Sequence, residues 1–138
     1  MYLSDIVAAL TNKGICAGNY KLVAECDEEG NSGLAAQIEK LKPTEAAGIL
    51  KMFEMAVLHG PRNIPRNMRH EIDKNCGIYE FIKGNHRIPF FYDDGNFVVC
   101  SHMFRKKRQK TPPAELSQAI RFREKYLRAK ASGQLKEI

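Results

Sequence analysis

The chain contains no run of about 18 apolar residues, so it offers no candidate for a membrane-spanning helix. Its start, MYLSDIVAAL, lacks the positive flank and continuous apolar stretch of a secretory signal. The expectation is a cytoplasmic protein with no membrane partner. Cysteine is sparse as well: Cys16, Cys26, Cys76 and Cys100 lie far apart, without the paired spacing of zinc sites or the density of small disulfide-stapled domains. Free, mostly buried thiols are expected. The adjacent carboxylates Glu28-Glu29 and Asp93-Asp94 fall in predicted turns with no His/Asp/Glu ligand spacing beside them, so neither a metal nor another cofactor is expected. Internal repeats and linkers are also missing. One domain over residues 1–138 is the expectation.

What is present is an ordinary globular composition, 43% hydrophobic and 28% charged, with a formal net charge of +6. That is too apolar for intrinsic disorder. The charge is unevenly spread. Residues 101–138 hold 11 Lys/Arg against 3 Asp/Glu, whereas residues 1–60 hold 5 against 8. Clustered cations raise the local potential and release counterions on meeting phosphates, so the basic end points to a polyanion or an acidic partner surface.

Periodicity predicts an α+β fold. Ser4 and Asp5 can cap a short helix over 4–13, read as a peripheral piece. YKLVAEC (20–26) alternates like a half-buried strand. A helical hairpin spans about 32–59, with Asn31 or Ser32 capping its first helix, a stop or bend at Pro43, Thr44 capping its second and Gly60-Pro61 closing it. PRNIPRNMRHEI, with little periodicity, reads as a loop. CGIYEFI (76–82), RIPFFY (87–92) and NFVVCSHMF (96–104) predict an antiparallel meander with turns at KGNH and DDGN. Thr111-Pro112-Pro113 starts a last helix that turns Leu116, Ala119, Ile120 and Leu127 to the core, and the tail KASGQLKEI is expected to fray.

The chemistry-bearing segment is SHMFRKKRQKTPP, residues 101–113, where five cations fall within positions 105–110 beside His102. Cleaving RNA without a metal needs three things: removal of the 2′-hydroxyl proton, stabilisation of charge on the phosphorane and protonation of the leaving 5′ oxygen. A His/Lys/Arg cluster can supply all three. The plain alternative is a solvated basic loop, and an isolated half-buried histidine usually just satisfies backbone. His59, His70 and His86 receive that plain reading.

The stretch from CGIYEF through RIPFFYDDGNFVVCSHMFRKKRQKTPPAEL to AIRFREKYL resembles the C-terminal half of the RelE/ParE toxin superfamily and, within it, the HigB-like phage-derived toxin group. The likeness rests on Tyr79-Glu80-Phe81, Arg87, the aromatic strand at 90–92, Phe104, Lys106-Lys107 and Thr111-Pro112. It implies a twisted antiparallel sheet of about four strands with two N-terminal helices and a C-terminal helix, covering residues 19–130. Residues 1–18 then form an extension with a short extra helix, and 131–138 a tail. The resemblance further implies the toxin of a type II toxin-antitoxin pair, a metal-independent endoribonuclease cutting mRNA on the ribosome to a 2′,3′-cyclic phosphate. Its partners would be mRNA, the ribosome and a cognate antitoxin, expected as a helix-turn-helix protein encoded nearby. Matching positions make Arg87, Lys106, Lys107 and His102 the catalytic candidates, with Arg105, Arg108, Lys110 and Arg69 as RNA-binding cations. Pro89 departs from the pattern and implies a bulge or an edge in its strand. Two alternatives stay open: a ParE-like toxin acting on DNA gyrase without RNA chemistry, and a non-catalytic RNA-binding module with Tyr79, Phe91 and Tyr92 as stacking candidates.

Overall fold

The computed structural model describes residues 1–11, 18–106 and 110–138. Strand β1 (Tyr2–Asp5) leads directly into helix α1 (Ile6–Thr11), then β2 (Lys21–Cys26), α2 (Gly33–Glu39) and α3 (Pro43–His59). Two short 3-10 turns, Pro61–Asn63 and Arg66–Met68, precede β3 (Arg69–Asp73). The meander follows as β4 (Ile78–Lys83), β5 (His86–Asp93), β6 (Phe97–Cys100) and β7 (Phe104–Arg105), and the chain closes with α4 (Pro113–Ala131) and β8 (Lys136–Glu137). Among the described residues no helix is long and apolar enough to cross a membrane.

The α+β expectation holds, but the sheet is larger than about four strands and it is mixed. Its order is β3-β4-β5-β6-β2-β1-β8, with β7 also paired to β5. β2 runs parallel to β6, Leu22 opposite Val98 and Ala24 opposite Cys100, and β8 runs parallel to β1. Three segments therefore differ from their sequence reading. The N-terminal piece begins as a strand, and it is integral to the fold, with Leu3, Ile6 and Val7 at most 1% exposed. The tail makes a strand, Lys136 donating its amide to the Met1 carbonyl and Ile138 to that of Leu3. The segment read as a loop ends in β3, whose His70 lies opposite Glu80.

Helices cover both faces. Leu22, Phe53, Phe81, Ile88, Phe90 and Val98 join α1, α2 and α3 to one face, where the Phe81 and Phe90 rings stack at 4.1 Å. Leu3, Val23, Ile78, Phe91 and Val99 join Ala119 and Tyr126 of α4 on the other. Burying each such large side chain contributes about 1.5–3 kcal/mol. β2 is buried on both sides at its centre, where Val23 on the α4 face is as enclosed as Leu22 and Ala24, while Lys21 and Glu25 on that face stay partly exposed. On α4, Tyr126 rather than Leu127 enters the core, its hydroxyl donating to Asp93 while Leu127 is exposed.

Local chemistry sets the element ends. Asp5 accepts the Ala8 amide at 2.9 Å and so caps α1, and Ser32 accepts the Ala35 amide at 3.2 Å and caps α2. The first helix ends at Glu39, ahead of Pro43 as expected, and Pro43 itself opens α3 at the first position, where its fixed φ fits and its missing N–H is not needed. Lys42 therefore takes the capping position in place of Thr44. Gly60 ends α3 with φ 87°, its α-carbon packed against the Tyr20 ring.

Pro89 explains the division of the expected strand 96–104 into β6 and β7. Ser101 donates to the Pro89 carbonyl at 2.8 Å, but proline has no amide with which to return the bond. Cys100 pairs with Phe90 and Phe104 with Arg87, so Ile88 and Pro89 face three residues, Ser101 to Met103, across a bulge.

Candidate functional site

Strand alternation puts Ile78, Glu80 and Ile82 of β4 on the α4 face, and Glu80 is 0% exposed. A buried carboxyl group needs partners, because desolvating it alone costs several kcal/mol. It finds them on three other segments. His70 of β3 places Nε2 at 3.2 Å from Glu80 Oε1, and the Thr111 hydroxyl lies 3.1 and 3.2 Å from the two carboxyl oxygens. Arg87 of β5 brings Nε to 3.8 Å. The site thus sits just before the N-terminus of α4, on the part of the sheet that this helix leaves open.

Arg87 is anchored rather than free to swing. Its Nη1 donates to the carbonyls of Gly84 at 2.7 Å and His86 at 3.0 Å, and its Nε is buried without a hydrogen-bond acceptor. Past the bulge, β7 lies beside the start of β5, and the Lys106 amide donates to the Asn85 carbonyl at 2.7 Å. Lys106 has no ion-pair partner among the described residues. Burial holds the His70 ring below the ordinary histidine range; Glu80 opposes this, and the charges of Lys106 and Arg87 reinforce it. The arrangement offers two cations to an anionic group beside a ring that favours its neutral form at pH 7.

The remaining predicted residues are distributed differently. His102 lies on the bulge with both ring nitrogens engaged, Nδ1 with Ser101 Oγ at 2.9 Å and Nε2 with Glu115 at 2.6 Å. It ties the bulge to the first turn of α4 and stacks loosely near Phe104. Arg105 faces the opposite side of the sheet, in a cleft with Thr44, Glu45, Lys83 and His86. There His86 hydrogen-bonds Glu45 at 2.7 Å, and that bond holds the Glu45 carboxyl below its usual range. Arg69 is also on the opposite face, opposite Phe81, donating to the Arg62 carbonyl near Tyr92, whose ring carries the Arg62 guanidinium at 4.9 Å. Lys110 is exposed next to Thr111. Lys107 and Arg108 lie outside the described residues.

Three residues of the cluster, His70, Glu80 and Thr111, escaped the sequence reading as site members, Thr111 because it reads as the start of the last helix. His70 was hidden because Pro61 and Pro65 make its segment look like a loop. Glu80 carried a usable signal: a carboxylate at the core-facing position of an alternating strand, between Ile78 and Ile82, demands buried partners. Among the described residues no group of three or more His, Cys, Asp or Glu side chains could hold a metal. Cys26, Cys76 and Cys100 are free thiols, and burial pushes Cys26 and Cys100 upward.

Comparison with curated proteins gives no match. Among solved structures, the toxin-antitoxin complex RelBE2 from Mycobacterium tuberculosis is similar at 16% identity, over 64% of this chain and 99% of that one, with a TM-score of 0.39. The family model described as Phage derived protein Gp49-like (DUF891) matches residues 36–124, a span that holds α3, the strands β3 to β7 and every member of the Glu80 cluster, and the chain belongs to that family.

Proposed function

We propose that this chain is the toxin of a toxin-antitoxin pair, HigB-like in its chemistry, and that it cleaves mRNA on the ribosome without a metal to leave a 2′,3′-cyclic phosphate. The observation that carries the reading is the convergence of Arg87 and Lys106 beside His70 over the buried Glu80. In-line attack by a 2′-hydroxyl builds negative charge on the phosphoryl oxygens, and a guanidinium fixed by two backbone carbonyls opposes that charge without reorganising. Lys106 adds a second charge that no carboxylate neutralises among the described residues. Lys107 next to it is assigned the same role from the sequence, as are Arg108 and Lys110 for the RNA backbone. The excess of 11 Lys/Arg over 3 Asp/Glu in residues 101–138 supports both an RNA substrate and an antitoxin with acidic contacts.

His102 supports the site in this reading by holding the bulge that sets Phe104 opposite Arg87. Arg69 and Arg105, on the opposite face, belong to a different stretch of the RNA path or to none.

The test is induction of the wild-type chain followed by primer extension on a translated message and on the same message without its start codon. Discrete cuts in the translated message alone are expected. Purified protein stripped with EDTA and then freed of the chelator should cut ribosome-bound message as fast as untreated protein in the same magnesium-containing buffer. Growth arrest with intact message and lost supercoiling activity would place the chain among gyrase poisons instead.

A further inference from the structure

We propose that His70, oriented by the buried Glu80, takes the proton from the attacking 2′-hydroxyl; this assignment rests on the RNA-cleaving reading above. The geometry is that of a base with an orienting partner. Nε2 lies 3.2 Å from a carboxyl oxygen of Glu80, and that proximity favours the neutral tautomer with its proton on Nε2, which leaves Nδ1 as the acceptor. Glu80 is itself fixed at 0% exposure by the Thr111 hydroxyl, whereas the His70 side chain is 43% exposed and open to a substrate. His102, the sequence candidate for this task, has both ring nitrogens committed to Ser101 and Glu115. Charged groups facing the His70 ring among the described residues are Glu80 from β4, Arg87 from β5 and Lys106 beyond β7.

The step balances as follows. The 2′-oxygen forms a bond to phosphorus as its proton passes to Nδ1 of His70. The bond from phosphorus to the 5′ oxygen breaks, its electron pair leaving with that oxygen, which takes a proton from water. His70 then returns its proton to solvent. Arg87 and Lys106 hold the phosphoryl oxygens meanwhile.

Glu80 acts through His70 and is a positioning residue. Its charge favours the protonated ring, so removing that charge weakens the base and lowers the pH at which it becomes available. Single-turnover cleavage of ribosome-bound message between about pH 5 and 9 reads this directly. Wild-type rate should rise with pH through the titration of His70 and then level. His70→Ala and His70→Gln should each lose about 100-fold or more and lose the rising limb. Glu80→Gln should shift the limb to lower pH and reduce the plateau. Nitrogen-15 NMR of the isolated chain gives a second readout: the neutral ring should carry its proton on Nε2, and Glu80→Gln should lower the midpoint of His70. Folded His70 variants that keep the wild-type rate and limb overturn the assignment, as does a neutral ring protonated on Nδ1. A wild-type chain that cuts nothing removes the nuclease reading and the proposal together. Arg87→Ala inactive beside an active His70→Ala removes the base assignment alone.

Discussion

Tyr126→Phe isolates one hydrogen bond between α4 and the sheet. The ring is 1% exposed and packs at 5.2 Å against Phe91, and phenylalanine keeps that packing. What is lost is the hydroxyl's bond to Asp93, whose other oxygen accepts from Lys130 at 2.8 Å. A hydrogen bond to a charged group contributes about 1.5–3 kcal/mol, and the surviving Lys130 contact places this loss near the lower end. Burial raises the Asp93 carboxyl, but the Lys130 and Tyr126 hydrogen bonds outweigh it and hold the group below its usual value of 3.8. A lowered carboxylate contributes stability that is full above the unfolded value and lost as pH falls through the folded one. The gap between wild type and variant should therefore be widest near pH 7 and narrow toward about pH 3. Urea denaturation followed by far-UV circular dichroism across that range measures both quantities, and the urea slope should stay constant because the exposed surface does not change. A loss that is absent at neutral pH, or that persists unchanged in acid, would refute the reasoning.

Arg87→Ala and Lys106→Ala should each reduce single-turnover RNA cleavage by about 100-fold to 1,000-fold with circular dichroism unchanged, since each removes one stabiliser of phosphoryl charge. Gly60→Ala should destabilise the fold by about 1–3 kcal/mol in the same urea assay: φ 87° strains an alanine, and its Cβ would meet the Tyr20 ring at 2.7 Å. Association with the cognate antitoxin, followed by stopped flow, should slow as salt rises; a rate indifferent to ionic strength would mean that apolar burial drives neutralisation.

Much of the fold was legible because it is written locally. The alternation in YKLVAEC, the Ser32 cap and the aromatic runs at 87–92 each depend on neighbours within a few residues. The parallel pairing of β2 with β6 is not local: Leu22 and Val98 are both apolar, and nothing in either segment names the other. β3 was obscured by Pro61 and Pro65, which belong to the turns before it. At the site, the hairpin logic that returns residues 104–106 to Arg87 is readable from the turn at Asp93-Asp94-Gly95-Asn96. The arrival of His70 depends on β3 pairing with β4, and nothing in the proline-rich segment before it announces that strand. Pro89 signals a bulge or an edge from the sequence alone, because a missing amide has the same effect in any sheet.

The central position of β2 also governs the order in which this molecule can be completed. β2 is made early, yet its parallel neighbour β6 and the helix that covers its second face are supplied by residues 97–100 and 113–131. Pairings so distant in sequence close late, because the entropy of ordering the intervening chain must be overcome first. His70 and Glu80 can meet within the β3–β4 hairpin alone, but Lys106 reaches them only after β5 and β7 have paired, and Thr111 only as α4 docks. During synthesis from the N-terminus, the cluster is therefore among the last parts of the chain to assemble. An emerging copy holds an open apolar strand and an unfinished site until its final third has left the machinery that makes it.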